Sequence, residues 1–253
     1  MTDDAVYKLS LLQRALILTF VIMGTAVYSS SILVASAILP KMQGALGATQ
    51  DEVSWTMTFN IVATAVVTPM TGWLAEGLGR RNTMVWCSVA FGASTFMCGT
   101  ATTLEEMILW RIVQGATGAP LVPLGQTLLL DSNATRHHGT ITALFGMGNM
   151  IGPVIAPTVG GEVSDLYGWQ WAYWMIVPFA LITAVGFQFV LPKRSARERA
   201  TLDWSGFLTL SIAIAGAQIV FSRGQRLDWF QSTEIVVTTF LTLVALYMFI
   251  AHS

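Results

Sequence analysis

The chain has 253 residues, of which 54% are hydrophobic and only 11% charged, and its mean hydropathy is +0.62. Soluble domains carry about 25% charged residues, so a water-exposed globule is excluded and lipid is the expected solvent. A formal net charge of −1 with no basic stripe gives no footing to a nucleic-acid partner.

Eight apolar runs are each about long enough to span a bilayer, at roughly 20 residues per crossing. They fall near Ala15–Leu39, Val53–Leu74, Thr83–Thr100, Met107–Leu130, Thr140–Gly160, Trp171–Leu191, Gly206–Phe221 and Ile235–Ala251. The connections are short, so successive helices are antiparallel neighbours in an all-α membrane protein. The first residues are acidic (Asp3, Asp4) and the first run is too long for a signal-peptide core. Cys87 and Cys98 share one run, about 16 Å apart along a helix axis, too far for a disulfide.

Orientation follows from the lysine and arginine bias. With the N-terminus in the cytoplasm, the inner segments hold nine basic residues: Lys8, Arg14, Arg80, Arg81, Arg136, Lys193, Arg194, Arg197 and Arg199. The outer segments hold Lys41, Arg223 and Arg226, beside the acids Asp51, Glu52, Glu105, Glu106, Glu162 and Asp165. The expected location is the cell membrane, inner or plasma. Residues 192–204 form the longest polar inner segment. They read as a linker between residues 1–191 and two additional spans at 205–253, or simply as a topology-fixing loop. The chain ends directly after an apolar run, which reads as a cut.

Two connections share a pattern. Gly72, Glu76, Gly79 and Arg80 after the second run match Gly161, Asp165, Gly168 and Trp169 after the fifth, 89 residues on, and Pro69 and Pro157 precede them. Three runs separate the copies, so they face opposite sides of the membrane, as an inverted repeat requires. Arginines in one copy and tryptophans in the other fit the two interfaces.

Three motifs carry chemistry. Gly72, Glu76, Gly79, Arg80 and Arg81 read either as a latch between helix ends, with the two glycines allowing turns and close contact, or as a solvated loop. Arg111 is the one basic residue inside an apolar run, where a charge costs roughly 2.5–3.5 kcal/mol. A partner, a cavity or snorkelling to the interface must offset that cost; Gln114 shares its helix face, and Gly115 allows close approach. In the fifth run Gly148, Gly152, Ala156 and Gly160 form a stripe of small residues. Gly161 follows it, and Pro153 and Pro157 invite bends.

These stretches resemble motifs A, B and C of the major facilitator superfamily. In motif A the usual residues are aspartate at the Glu76 position and arginine at the Gly77 position. In motif B the arginine, here Arg111, is linked to proton coupling. Motif C is typical of exporters, and Ala156 replaces its central glycine. Further stretches are similar to the fourteen-span EmrB/QacA-type branch: Ser54-Trp55 with Thr58 and Phe59, residues 118–126, Leu202-Asp203-Trp204, and Leu227-Asp228-Trp229-Phe230. The resemblance implies a six-helix N-terminal bundle of 3+3 inverted-repeat type plus two extra spans. It implies a secondary transporter exporting small lipophilic or amphipathic compounds by alternating access. A proton as coupling ion and a periplasmic adaptor protein are candidate partners.

The branch commonly has an acid and an amide in its first span, where Ser31 and Ser36 stand here. No carboxylate lies deep in any run, although a proton carrier needs a group that titrates there. The candidate cavity residues are Ser30, Ser31, Asn60, Gln126 and Asn149, with Arg111 and Gln114. No nucleophile–base pair, nucleotide loop or metal-ligand cluster stands out, so neither an enzyme nor a cofactor is expected. The competing reading is a non-transporting remnant or a membrane partner subunit.

Overall fold

The computed structural model describes residues 9–192 and 203–252. Residues 1–8, 193–202 and 253 lie outside the described residues. With them lie Lys8, Lys193, Arg194, Arg197 and Arg199 of the orientation argument, and most of the expected linker. Every regular element among the described residues is a helix. They are α1 (Leu11–Leu46), α2 (Gln50–Val67), α3 (Thr71–Leu78), α4 (Arg80–Thr100), α5 (Leu104–Gly118), α6 (Leu121–Asp131), α7 (His138–Tyr167), α8 (Trp169–Trp174), α9 (Val177–Val190), α10 (Trp204–Arg223) and α11 (Thr233–His252).

Side-chain caps start the long helices. Ser10 and Gln13 close a reciprocal capping box on α1, and Thr49 and Glu52 close another on α2. The α1 helix stops at Gly47, whose φ of 62° is left-handed.

Six stretches have both the length and the apolarity to cross a membrane: Leu11–Leu46, Gln50–Leu78, Thr135–Tyr167, Trp169–Val190, Trp204–Arg223 and Thr233–His252. The third and fourth expected runs fall short of that measure, for two physical reasons. In α4, Thr83, Ser88, Ser94 and Thr95 dilute the apolar content, but all four are buried. Their polarity faces protein instead of lipid. The fourth run is interrupted at Ala119 and Pro120, between α5 and α6. Both stretches belong to the bundle, since α4 packs on α5 and α9, and α5 packs on α2. The 21 residues of α4 extend about 30 Å.

Prolines break some helices and not others. The chain passes through a short 3-10 turn at Pro69, interrupts at Pro120, and restarts at α9 with Pro178 in its first turn. Pro153 and Pro157, where bends were expected, lie inside the unbroken α7, as Pro40 lies inside α1. These two helices form the most extensive pair among the described residues. Membrane helices tolerate proline where such a neighbour holds the path.

The pairings obey the repeat. Taking α1, α2–α3 and α4 as one triplet and α5–α6, α7 and α8–α9 as the other, α1 packs on α7 and α2 packs on α5. Exchanging the triplets turns one pair into the other. The remaining large contacts, α4 with α5 and α1 with α9, also interchange, and α4 with α9 maps onto itself. The repeated glycines agree in backbone shape. Gly79 (φ 83°, ψ 137°) is the single residue between α3 and α4, and Gly168 (φ 97°, ψ 157°) is the single residue between α7 and α8. An L side chain avoids that region.

The α10–α11 hairpin packs on α2. At its open end Asp203 caps α10, accepting from the backbone N–H groups of Gly206 and Ser205 at 3.0 and 3.1 Å, and it also meets His252 at 2.9 Å. Bonds from the Gly206 amide and the Ser205 hydroxyl, aided by His252, hold its carboxyl at about 2 against the ordinary 3.8.

Two outcomes are expected. Gly79→Ala or Gly168→Ala lowers stability by about 1–3 kcal/mol through the forced positive φ, read as a drop in melting temperature in detergent. Because the carboxyl of Asp203 is depressed, its cap is fully present above pH 3.8 and lost as pH falls through about 2. Protection of the Ser205 and Gly206 amides in hydrogen exchange follows that window and disappears in Asp203→Ala.

Candidate functional site

Arg111 lies two turns into α5 and is fully buried, at 0% exposure. Snorkelling to the interface is thereby excluded. Its Nη1 donates to the Gln114 side-chain oxygen, and its Nε donates to the Thr56 carbonyl at 3.4 Å. The spacing of three residues places Gln114 on the same helix face. Gln114 passes the link on, donating Nε2 to the Thr95 hydroxyl of α4 at 2.8 Å. Asn60 of α2 donates to the Arg111 carbonyl at 2.8 Å. Beside it, the Thr64 hydroxyl donates to the Gly115 carbonyl at 3.2 Å and lies 2.8 Å from the Tyr28 hydroxyl of α1. One polar network thus joins four membrane segments.

Two atoms in it have spare capacity. Arg111 Nη2 and Asn60 Oδ1 are buried without a hydrogen-bond partner. No Asp or Glu forms an ion pair with Arg111 among the described residues. The partners named are neutral. Hydrogen bonds to a charged group contribute about 1.5–3 kcal/mol each, which offsets the insertion cost without a counter-charge.

Glycine makes the crossing possible. A Cβ on Gly115 would lie 2.2 Å from the Asn60 carbonyl oxygen, so α2 and α5 meet at backbone distance. The small-residue stripe of α7 faces α1 in the same manner. A Cβ on Gly152 would lie 2.3 Å from the Ser30 hydroxyl, and Gly148 and Gly160 face Ile22 and Val34. Ala156 is buried along this stripe. Gly161 is not part of the contact, having open space around it.

The expected latch is arranged differently from its sequence reading. Arg80 pairs with Asp131 at the end of α6, and Glu76 is exposed, without an ion pair among the described residues. Arg81 is half-buried and its Nε has no hydrogen-bond partner. Gly72 is exposed with nothing near a Cβ, so it supports no close helix contact. The Arg80–Asp131 bridge lies inside the bundle, joining the start of α4 to the end of α6. At the opposite end Lys41 of α1 donates to Ser164 and Asp165 of the second copy, both at 2.6 Å.

The cavity candidates separate into three environments. Ser30 and Ser31 are buried, and their hydroxyls donate to the carbonyls of Ala26 and Tyr28 in their own helix. Asn60 is buried in the Arg111 network. Gln126 is exposed, and Asn149 is half-buried and accepts from the Ser29 hydroxyl at 3.2 Å. Ser30 and Ser31 therefore serve helix packing, while Ser29 and Asn149 face each other across α1 and α7.

Thr56, Thr64, Thr95 and Asp131 escaped the sequence reading. The threonines carry no signal alone, since a membrane helix hides hydroxyls by bonding its own carbonyls. Asp131 did carry one, as an acid among the basic residues at its end of the bundle.

Residues 16–253 match the model of the Major Facilitator Superfamily. The chain belongs to the major facilitator superfamily. It is 33% identical over 214 residues to the multidrug export protein EmrB of Escherichia coli, covering 84% of this chain and 42% of that protein. It is 32% identical over 218 residues to the fatty acid resistance protein FarB of Neisseria gonorrhoeae, covering 86% and 43%. The chain therefore spans less than half the length of these relatives. A crystal structure of the peptide transporter POT superposes with a TM-score of 0.65 at 14% identity, covering 88% of this chain and 48% of that one. At that identity the likeness concerns the fold. With its membrane-crossing helices, this superfamily member is an integral membrane protein.

Gly115→Ala overpacks the α2–α5 crossing and costs about 1–3 kcal/mol, seen as a lower melting temperature in detergent. Gly161→Ala, with no neighbour to meet, leaves that temperature unchanged within error.

Proposed function

We propose that the chain supplies the N-terminal bundle and two additional spans of a secondary exporter of small amphipathic compounds working by alternating access. The observation that carries this reading is the buried Arg111 network, which joins four membrane segments through neutral partners and leaves a donor and an acceptor unpartnered. Such a group changes partners at low cost, because no ion pair has to be broken. The names of the relatives, multidrug export and fatty acid resistance, support efflux as the direction and lipophilic molecules as the substrate class. The proton is the proposed coupling ion. With no carboxylate deep in these spans, its carrier is assigned to a helix end or to a part of the transporter outside this chain. Residues 1–191 form the proposed bundle domain, and a periplasmic adaptor protein is a candidate partner.

We further propose that the end bearing Gly79 faces the cytoplasm, from the basic bias there. In this orientation exposed Glu76 is available to a second half of the transporter.

The test is dye efflux from cells expressing the full-length protein, with and without a proton gradient. Arg111→Ala is expected to lower efflux about tenfold or more, in line with the loss of about 2–4 kcal/mol from a buried hydrogen-bonded charge, with membrane abundance unchanged. Arg111→Lys keeps the charge but loses the planar fork and falls between. Unimpaired efflux in Arg111→Ala would remove the residue from the mechanism.

A further inference from the structure

The polar links between the α10–α11 hairpin and the bundle gather at the start of α2. Arg223, in the last turn of α10, donates Nη2 to Asp51 at 3.2 Å and approaches Glu234 of α11 at 3.6 Å. Its guanidinium carbon sits 4.1 Å from the centre of a Trp55 ring, a cation–π distance. Arg226, in the turn between the helices, donates Nη1 to Asp51 at 3.4 Å and to the Ser54 hydroxyl at 2.8 Å. One turn deeper the hydroxyls of Thr58 and Ser222 meet at 2.8 Å.

Residues 51, 54, 55 and 58 are spaced i, i+3, i+4 and i+7, which is one face of a helix. That face of α2 is continuous, carries one acid, and meets two arginines from the hairpin. Asp51 accepts from both of them, while Arg223 is mostly covered, with 13% of its side chain exposed. At the other end of the hairpin, Asp203 and Ser205 instead bind His252, tying α10 to α11.

We propose that this face of α2 is the docking surface of the two-span hairpin and that Asp51 is its anchor. The hairpin is held to the six-helix bundle at the Gly168 end by charge complementarity, so the two move as one body there. Ser54, Trp55 and Thr58 set the register, and Asp51 supplies the grip. The assignment is independent of what the protein transports.

The test uses the whole chain in membranes, with Cys87→Ser and Cys98→Ser, a protease site between Lys193 and Leu202, and a tag at each end. After cleavage in mild detergent, the hairpin piece is expected to stay with the bundle piece, and less so at high salt. Thr58→Cys with Ser222→Cys is expected to form a disulfide that joins the two pieces on a non-reducing gel. Asp51→Arg is expected to lower both retention and cross-linking about fivefold or more. Combining it with Arg223→Asp, Arg226→Asp and Glu234→Gln, the last because Glu234 lies against position 223, is expected to restore at least about half of each, because the charges across the interface are exchanged and not removed. Asp51→Asn, which keeps the side-chain shape, gives intermediate retention with a weaker salt response. Wild-type retention and cross-linking in both Asp51→Arg and Asp51→Asn would overturn the proposal. So would failure of the charge exchange while the bundle still melts at its usual temperature.

Discussion

The structure depends on one constraint: a guanidinium placed where lipid cannot solvate it. Arg111 is fully buried, and an isolated charge in that position is costly. Its surroundings meet the cost with neutral polar groups. The Thr56 carbonyl of α2 and the Gln114 side chain of α5 itself accept from the guanidinium, Asn60 of α2 donates to the Arg111 carbonyl, and Thr95 of α4 accepts from Gln114. This requirement explains features that look unrelated in the sequence. Among the buried hydroxyls of α4, Thr95 accepts from Gln114. Gly115 lets α2 approach until its backbone touches α5.

Around this centre the bundle repeats itself with inverted direction. The α1–α7 and α2–α5 pairs are equivalent under the exchange, and Gly79 and Gly168 turn the chain in nearly the same way. The chemistry at the two ends is not equivalent. At one end an arginine of the repeated element pairs with an acid at the end of α6. At the other an acid of the repeated element pairs with a lysine near the end of α1. Backbone shape is retained because only glycine reaches it without strain, whereas the sign of a paired charge is free to exchange. Both bridges stay within the bundle, joining α4 to α6 and α1 to α7.

Glu76, Gln126 and an apolar face of α7 are exposed. Met147, Met150, Ile151 and Val154 are all at least 60% exposed on α7. In lipid an apolar exposed face carries no penalty.

The all-helical membrane class and the place of the repeat were legible from the sequence, because lipid permits few solutions; that Arg111 needs an offset was legible too, but burial and not snorkelling was settled by the tertiary structure. A spanning chain must satisfy its backbone internally, a charge within it needs company, and a four-residue glycine period lies on one helix face. The partners of those residues were not legible. Nothing in residue spacing distinguishes Asp131 from Glu76 as the mate of Arg80, or Ser29 from Ser30 as the mate of Asn149. Proline positions likewise did not reveal that the chain breaks at Pro120 and continues through Pro153. These choices belong to the tertiary structure, because they turn on which helix lies opposite and how close its backbone comes, at distances of a few ångströms that one-dimensional spacing does not encode.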